Sequence, residues 1–158
     1  MAKLLSTDAK AEQSRLVTIT GFTGIGKSAL ACASLHFIQE RALFKGGCIY
    51  VDARQCNKLK HFLQKVVTTV VKDPSDIFSV FFSNADDNPP LLTDLLEKMK
   101  DSGERFLFLF DNIEGLLATK AERTGLRECV KDILTKVKMA KVLLTSRVLM
   151  KEIENFPE

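Results

Sequence analysis

Hydrophobic residues along this chain alternate between short β-rich runs and longer stretches with helical spacing. Leu16 to Thr20 is a compact β-branched run that ends directly at a glycine, which predicts a strand feeding a tight loop. From Ser28 onward Leu30, Ala33, Phe37 and Ile38 recur at helical spacing, predicting a helix that runs down near Gly46 and Gly47. Cys48 to Val51 reads as a second strand ending at Asp52. Beyond it Leu59, Phe62, Leu63, Val66, Val67, Val70 and Val71 step by three and four, the strongest helical period in the chain in spite of its valines. Residues 73–90 carry Asp, Asn, Ser and three prolines, and read as a loop with a short ordered insert from Ile77 to Phe82.

Pro89 and Pro90 open a third helix with Leu92, Leu95, Leu96 and Met99 on one side, and Gly103 closes it. Phe106 to Phe110 is unbroken apolar strand, which implies burial on both faces and a central place in a parallel sheet. Leu126, Cys129, Val130, Ile133, Leu134 and Val137 form another helical stripe, and Val142 to Leu144 a fourth strand. Parallel strands need crossovers, and crossover helices cover a sheet on both sides. The expected fold is therefore α/β: a doubly wound parallel sheet with helices on both faces, in three layers.

With 158 residues, 46% of them hydrophobic, the chain has the size of one globular domain, taken as residues 15–158 after a polar lead-in over 1–14. The 23 basic and 20 acidic residues are interspersed, which argues against nucleic acid as a partner. The longest apolar stretches are strand-sized, and the first 14 residues contain no apolar core of signal-peptide length. These features lead to the expectation of a cytoplasmic protein with no membrane association. The four cysteines lie far apart without C-x-x-C spacing, and neither histidine has an acid or nucleophile spaced to match it.

The chemistry concentrates in Gly21-Phe-Thr-Gly-Ile-Gly-Lys-Ser28, which fits G-x-x-x-x-G-K-[ST] between a predicted strand and a predicted helix. Glycine lets backbone curl around an anion without side chains blocking the approach. Loop N–H groups and the helix N-terminus then point at phosphates, so Gly21, Thr23, Gly24, Ile25, Gly26, Lys27, Ser28 and Ala29 are the expected nucleotide contacts. Lys27 can reach the β- and γ-phosphates, and the Ser28 hydroxyl can ligate magnesium.

Asp111 follows the apolar strand directly, at the carboxyl edge where ligands bind in open parallel sheets, and can hold magnesium through water. Its neighbour Asn112 cannot act as a base for hydrolysis. Glu114 is the nearest carboxylate, with sequence leaving open whether it faces the site or solvent. If the fourth strand lies beside the first, Thr145 and Arg147 emerge next to the phosphate loop, where Thr145 can contact the nucleotide and Arg147 can sense the γ-phosphate.

The segments V-T-I-T-G-F-T-G-I-G-K-S-A-L-A, L-F-L-F-D-N-I-E and K-V-L-L-T-S-R, in that order, resemble the NB-ARC type of signal-transduction ATPases, the STAND class. F-K-G-G-C-I-Y-V-D is similar to the same family's second-strand segment. The resemblance covers about Arg15 to Arg147. It implies an adenine-nucleotide switch in which ADP holds a closed form and ATP opens it for self-association and signalling, with ATP or ADP and Mg2+ as ligands. By that resemblance Lys27 and Ser28 take the Walker A positions, Asp111 the Walker B aspartate and Arg147 the sensor arginine. The family's arginine motif before the first strand, its helical domain with Gly-x-Pro and its winged-helix domain do not occur in this sequence. The expectation is a fragment or truncated copy, with a last sheet strand missing after Phe156 and protein partners reached through flanking domains.

The competing reading is a working P-loop ATPase or small-molecule kinase. A kinase calls for an arginine-rich lid, and the basic residues Arg123, Arg127, Lys131 and Lys136 are merely scattered. The guanine-reading N-K-x-D is absent, since Asn57-Lys58 is followed by Leu59-Lys60.

Overall fold

The computed structural model describes residues 14–70 and 89–148. The polar lead-in, the insert at 77–82 and the chain end near Phe156 lie outside the described residues. In chain order the elements are β1 (Leu16–Thr20), α1 (Lys27–Glu40), β2 (Gly47–Asp52), α2 (Leu59–Val70), α3 (Pro89–Asp101), β3 (Phe106–Asp111), a 3-10 turn (Ile113–Leu117), α4 (Lys120–Lys136) and β4 (Lys141–Ser146).

The four strands are parallel and ordered β1-β4-β3-β2. The chain crosses from β1 to the far edge and then steps back strand by strand. With crossovers of one hand, that reversal puts α1 on one face and α2, α3 and α4 on the other. The fold is the doubly wound α/β arrangement that the alternating pattern predicts.

Two cores result. On the α1 face Ala31 and Ile38 pack with Phe44, Leu107, Leu109 and Leu143. On the other face Phe106, Phe108, Phe110, Val142 and Leu144 meet Phe62, Val66, Leu96, Val130 and Ile133. The rings of Phe62 and Phe110 meet edge to face with centroids 4.9 Å apart. Every residue of β3 and β4 is buried, as two covered faces require.

The first helix departs from expectation twice. It ends at Glu40 rather than near Gly46, because Ala42 turns into positive φ (47°) and the Leu43 N–H bonds back to the Ile38 carbonyl. Its buried positions are Lys27, Ala31, Ser34 and Ile38, whereas Leu30 and Phe37 are exposed and Ala33 also faces outward. A helix with apolar residues all round has no face that periodicity can select; its rotation follows from turning Lys27 back under the loop that precedes it.

The start of α4 also holds the start of α2. Thr119 caps α4 by accepting from the Glu122 N–H, while the Glu122 carboxylate accepts from the Leu59 N–H at 2.5 Å and pairs with Lys58 at 3.6 Å. Arg15 donates to the Leu134 and Lys138 carbonyls at 2.6 and 2.7 Å, which fixes the entry to β1 against the end of α4. Among the described residues no helix is long and apolar enough to cross a membrane.

Candidate nucleotide-phosphate site

Strand parity places the site. Asp111 and Thr145 continue the alternation of Leu107, Leu109 and Leu143, all on the α1 face, and Tyr50 packs on that face from β2. These side chains therefore converge under the N-terminus of α1. The location is the carboxyl edge of β1, β4 and β3, where the crossover through α1 leaves β1 over one face and that through α4 leaves β3 over the other.

The phosphate loop takes up the conformation its glycines allow. Gly24 and Gly26 have φ of 84° and 94°, a left-handed region costly for residues with a Cβ. The first turn of α1 follows directly, with the Leu30 N–H on the Gly26 carbonyl at 2.8 Å. Lys27 is buried, and its ammonium donates to the Gly21 and Phe22 carbonyls, both at 2.9 Å. An anion in the loop offers this ammonium stronger, charge-assisted acceptors than two carbonyls.

Asp111 is fully buried and accepts four side-chain hydrogen bonds. Ser28 Oγ (2.9 Å) and Thr145 Oγ1 donate to Oδ1; Asn112 Nδ2 (2.8 Å) and the Tyr50 hydroxyl (3.3 Å) donate to Oδ2. Burial first, and then the Asp111 charge, push the Tyr50 phenol above its ordinary value, so it stays a donor. Asn112 sits in left-handed backbone (φ 59°), which an asparagine tolerates, and its N–H donates to Thr145 Oγ1 at 2.9 Å. Thr145 thus accepts from Asn112 and donates to Asp111, using its hydroxyl in both senses.

Glu114 faces the site. Its carboxylate accepts from the Arg147 N–H at 2.8 Å and pairs with Arg147 Nε at 3.4 Å, with the Glu114 side chain 15% and the Arg147 side chain 57% exposed.

These groups border an open cleft of about 660 Å³, within the range that holds small ligands. Thr23, Gly24, Gly26, Lys27, Ser28 and Ala29 line one side; Asn112, Glu114, Gly115 and Arg147 line the other. Gly21 and Ile25 belong to the loop without lining the cleft, and Ile25 points to solvent. Thr145 is enclosed behind Asp111 and touches the cleft only through it.

Sequence reasoning missed Arg54, Asn57, Gly115 and Tyr50. Arg54 and Asn57 follow β2 and line the cleft, an arrangement that appears only once β2 is known to lie beside β3. The available signal was that Asp52, like Asp111, ends a strand, and the two stand in register. Tyr50 was discoverable in the same way, by parity.

The sequence profile of the AAA domain family matches residues 10–150. The chain belongs to the AAA domain family. This AAA domain has the fold of P-loop ATPases. It superposes on a chain of Drosophila ORC bound to DNA with a TM-score of 0.63 at 20% identity, over 89% of this domain and 34% of that chain. It matches the Aeropyrum pernix ORC2 protein in ADPNP-ADP complexes (TM-score 0.58, 19% identity, 85% of this domain, 35% of that chain). It also matches a Walker-type ATPase of Pyrococcus abyssi (0.51, 20%, 85% and 41%). The domain spans about a third to two-fifths of the length of these proteins. No curated protein sequence matches it.

Proposed function

We propose that this AAA domain is an adenine-nucleotide switch: it holds ADP or ATP with magnesium in the phosphate loop and turns over slowly or not at all, within a larger signalling protein of the NB-ARC kind. Phosphate binding rests on the loop itself, with left-handed Gly24 and Gly26 ahead of a helix N-terminus and Lys27 beneath them. Adenine is the base to expect from the resemblance to NB-ARC ATPases, and the fold relative from Aeropyrum pernix carries ADP and ADPNP.

The Ser28 hydroxyl and the Asp111 carboxylate, 2.9 Å apart, form an oxygen pair of the kind magnesium takes in nucleotide sites. Among the described residues no group of three His, Cys, Asp or Glu side chains could form a metal cage, which fits an ion that keeps water and phosphate ligands. Magnesium would be held by Ser28 and, through water, by Asp111, and would screen the phosphate charge.

The observation that carries slow turnover is the Glu114–Arg147 pair. Glu114 is the carboxylate nearest Asp111 in sequence able to activate water, and its Oε1 is committed to two nitrogens of Arg147. Asn112, beside Asp111, supplies no base. The pair holds Arg147 at the cleft wall, from which a γ-phosphate competes with Glu114 for the guanidinium. That competition makes the arrangement sensitive to whether ADP or ATP is bound. The test is nucleotide retention against turnover: the purified chain is expected to keep ADP through gel filtration and to hydrolyse ATP below about one per minute. Steady-state hydrolysis at the ordinary enzymatic rate of about 10 per second refutes the switch and favours a working ATPase.

A further inference from the structure

Two arginines line the cleft, and they stand in different electrostatic situations. Arg147 is engaged by Glu114 through both its backbone and its side chain. Arg54 has no carboxylate partner among the described residues, and its exposed side chain borders the same cleft as Lys27 and Ser28.

The backbone under Arg54 is fixed at several points. Its own N–H donates to Asp52 Oδ1 at 2.9 Å. The preceding Ala53 is fully buried and donates its N–H to the Asp111 carbonyl at 2.7 Å, which ties this loop to the end of β3. Cys56 is buried and closes a turn onto the Ala53 carbonyl at 2.9 Å. Gly115 admits the loop at close range, since a Cβ there would stand 2.6 Å from Asn57 Oδ1 and 2.7 Å from the Cys56 carbonyl. Glu122 holds the far end through Leu59 and Lys58. A surface arginine on a floppy loop spends its side-chain freedom when it binds; one on a braced loop has less to lose.

Position along the sheet edge indicates what this guanidinium would meet. The phosphate loop follows β1, Asp111 ends β3, and Arg54 follows β2 beyond it. Phosphates that enter at the loop, with the β- and γ-groups at Lys27 and Ser28, have their last group toward Asp111 and so toward Arg54. A guanidinium matches phosphate oxygens in a two-point fork.

We propose that Arg54 contacts the terminal phosphate of a bound nucleoside triphosphate and thereby distinguishes triphosphate from diphosphate. The inference rests on nucleotide binding in the phosphate loop and adds a residue that reads the nucleotide's state. Among the described residues Arg147 is engaged by Glu114 and Arg54 by no carboxylate, so beside Lys27, Arg54 is the cation left open to an incoming γ-phosphate.

The test titrates wild type, Arg54→Ala and Arg54→Lys with ADP and with ADPNP, each with magnesium, and records the melting temperature of each protein. Arg54→Ala should weaken ADPNP about 10- to 100-fold while ADP stays within about twofold, as the loss of a charged hydrogen-bond pair predicts. Arg54→Lys should fall between, because the charge remains and the fork does not. Melting temperatures should be equal, since the side chain is exposed. Equal weakening of both nucleotides, or of neither, overturns the role of Arg54. A wild-type protein that binds neither nucleotide overturns the phosphate-loop reading beneath it.

Discussion

Replacing Thr145 with valine tests whether this residue serves the site through Asp111. The change keeps the branched shape and removes the hydroxyl, which lies fully buried between two partners. One hydrogen bond lost is donated to a carboxylate, a class whose net contribution is about 1.5–3 kcal/mol. The other is the bond that satisfies the part-buried Asn112 N–H at 2.9 Å; leaving that donor unpaired costs about 1 kcal/mol, the low end of the range for a lost partner. The two share one atom and overlap, so the expected destabilisation is about 3 kcal/mol, or a fall of roughly 9 °C in Tm for a chain this long. Thr145→Ser keeps the hydroxyl, loses one methyl group and should cost about 1 kcal/mol. Thermal unfolding by circular dichroism measures both. A magnesium titration of ADP binding adds a functional readout, in which the valine variant needs more magnesium and the serine variant does not. A valine variant that melts with wild type, or a serine variant as damaging as valine, would show that the Thr145 hydroxyl does not hold Asp111 and Asn112 together.

Gly115→Ala should lower the melting temperature by several degrees, because the new Cβ meets Asn57 and the Cys56 backbone below 3 Å and overpacking costs about 1–3 kcal/mol. The sign is informative, since alanine for glycine in an uncrowded helical turn stabilises; an unchanged or raised Tm in differential scanning calorimetry contradicts the close approach. Cys129 supplies a pH dependence: burial, with Asp132 nearby, pushes its thiol from 9.0 up to about 12. A raised folded pKa means stability that is complete below pH 9 and declines above it, by about 1.4 kcal/mol at pH 10. Urea unfolding at pH 8 and pH 10 should show that extra alkaline loss in wild type but not in Cys129→Ala; parallel curves contradict it.

The sequence was most legible where chemistry and periodicity coincide. The phosphate loop needs its glycines, lysine and serine contiguous, so one window contained nearly all of it. β3 was legible because only a strand covered on both faces tolerates Phe-Leu-Phe-Leu-Phe. What remained hidden depends on pairing between distant segments. Glu114 and Arg147 lie 33 residues apart, and their contact follows from β4 inserting between β1 and β3. Arg54 reaches the cleft for the same kind of reason, since β2 lies beside β3. The rotation of α1 was illegible because apolar residues surround it, and only the inward turn of Lys27 orients it. Thr145 was expected at the nucleotide and stands one layer behind, on the same face as Asp111 but covered by it, a contact between β4 and β3 that no local pattern shows.

On the proposed reading, the loop from Gly21 to Ser28 binds nucleotide phosphates with magnesium through Lys27. Calorimetric titration of ADP with magnesium into wild type and Lys27→Ala tests it most directly. Wild type should bind saturably in a way that EDTA weakens, and the alanine variant should lose at least about 100-fold in affinity, from removal of a buried charge at the phosphate loop. Equal heats from the two proteins would contradict it.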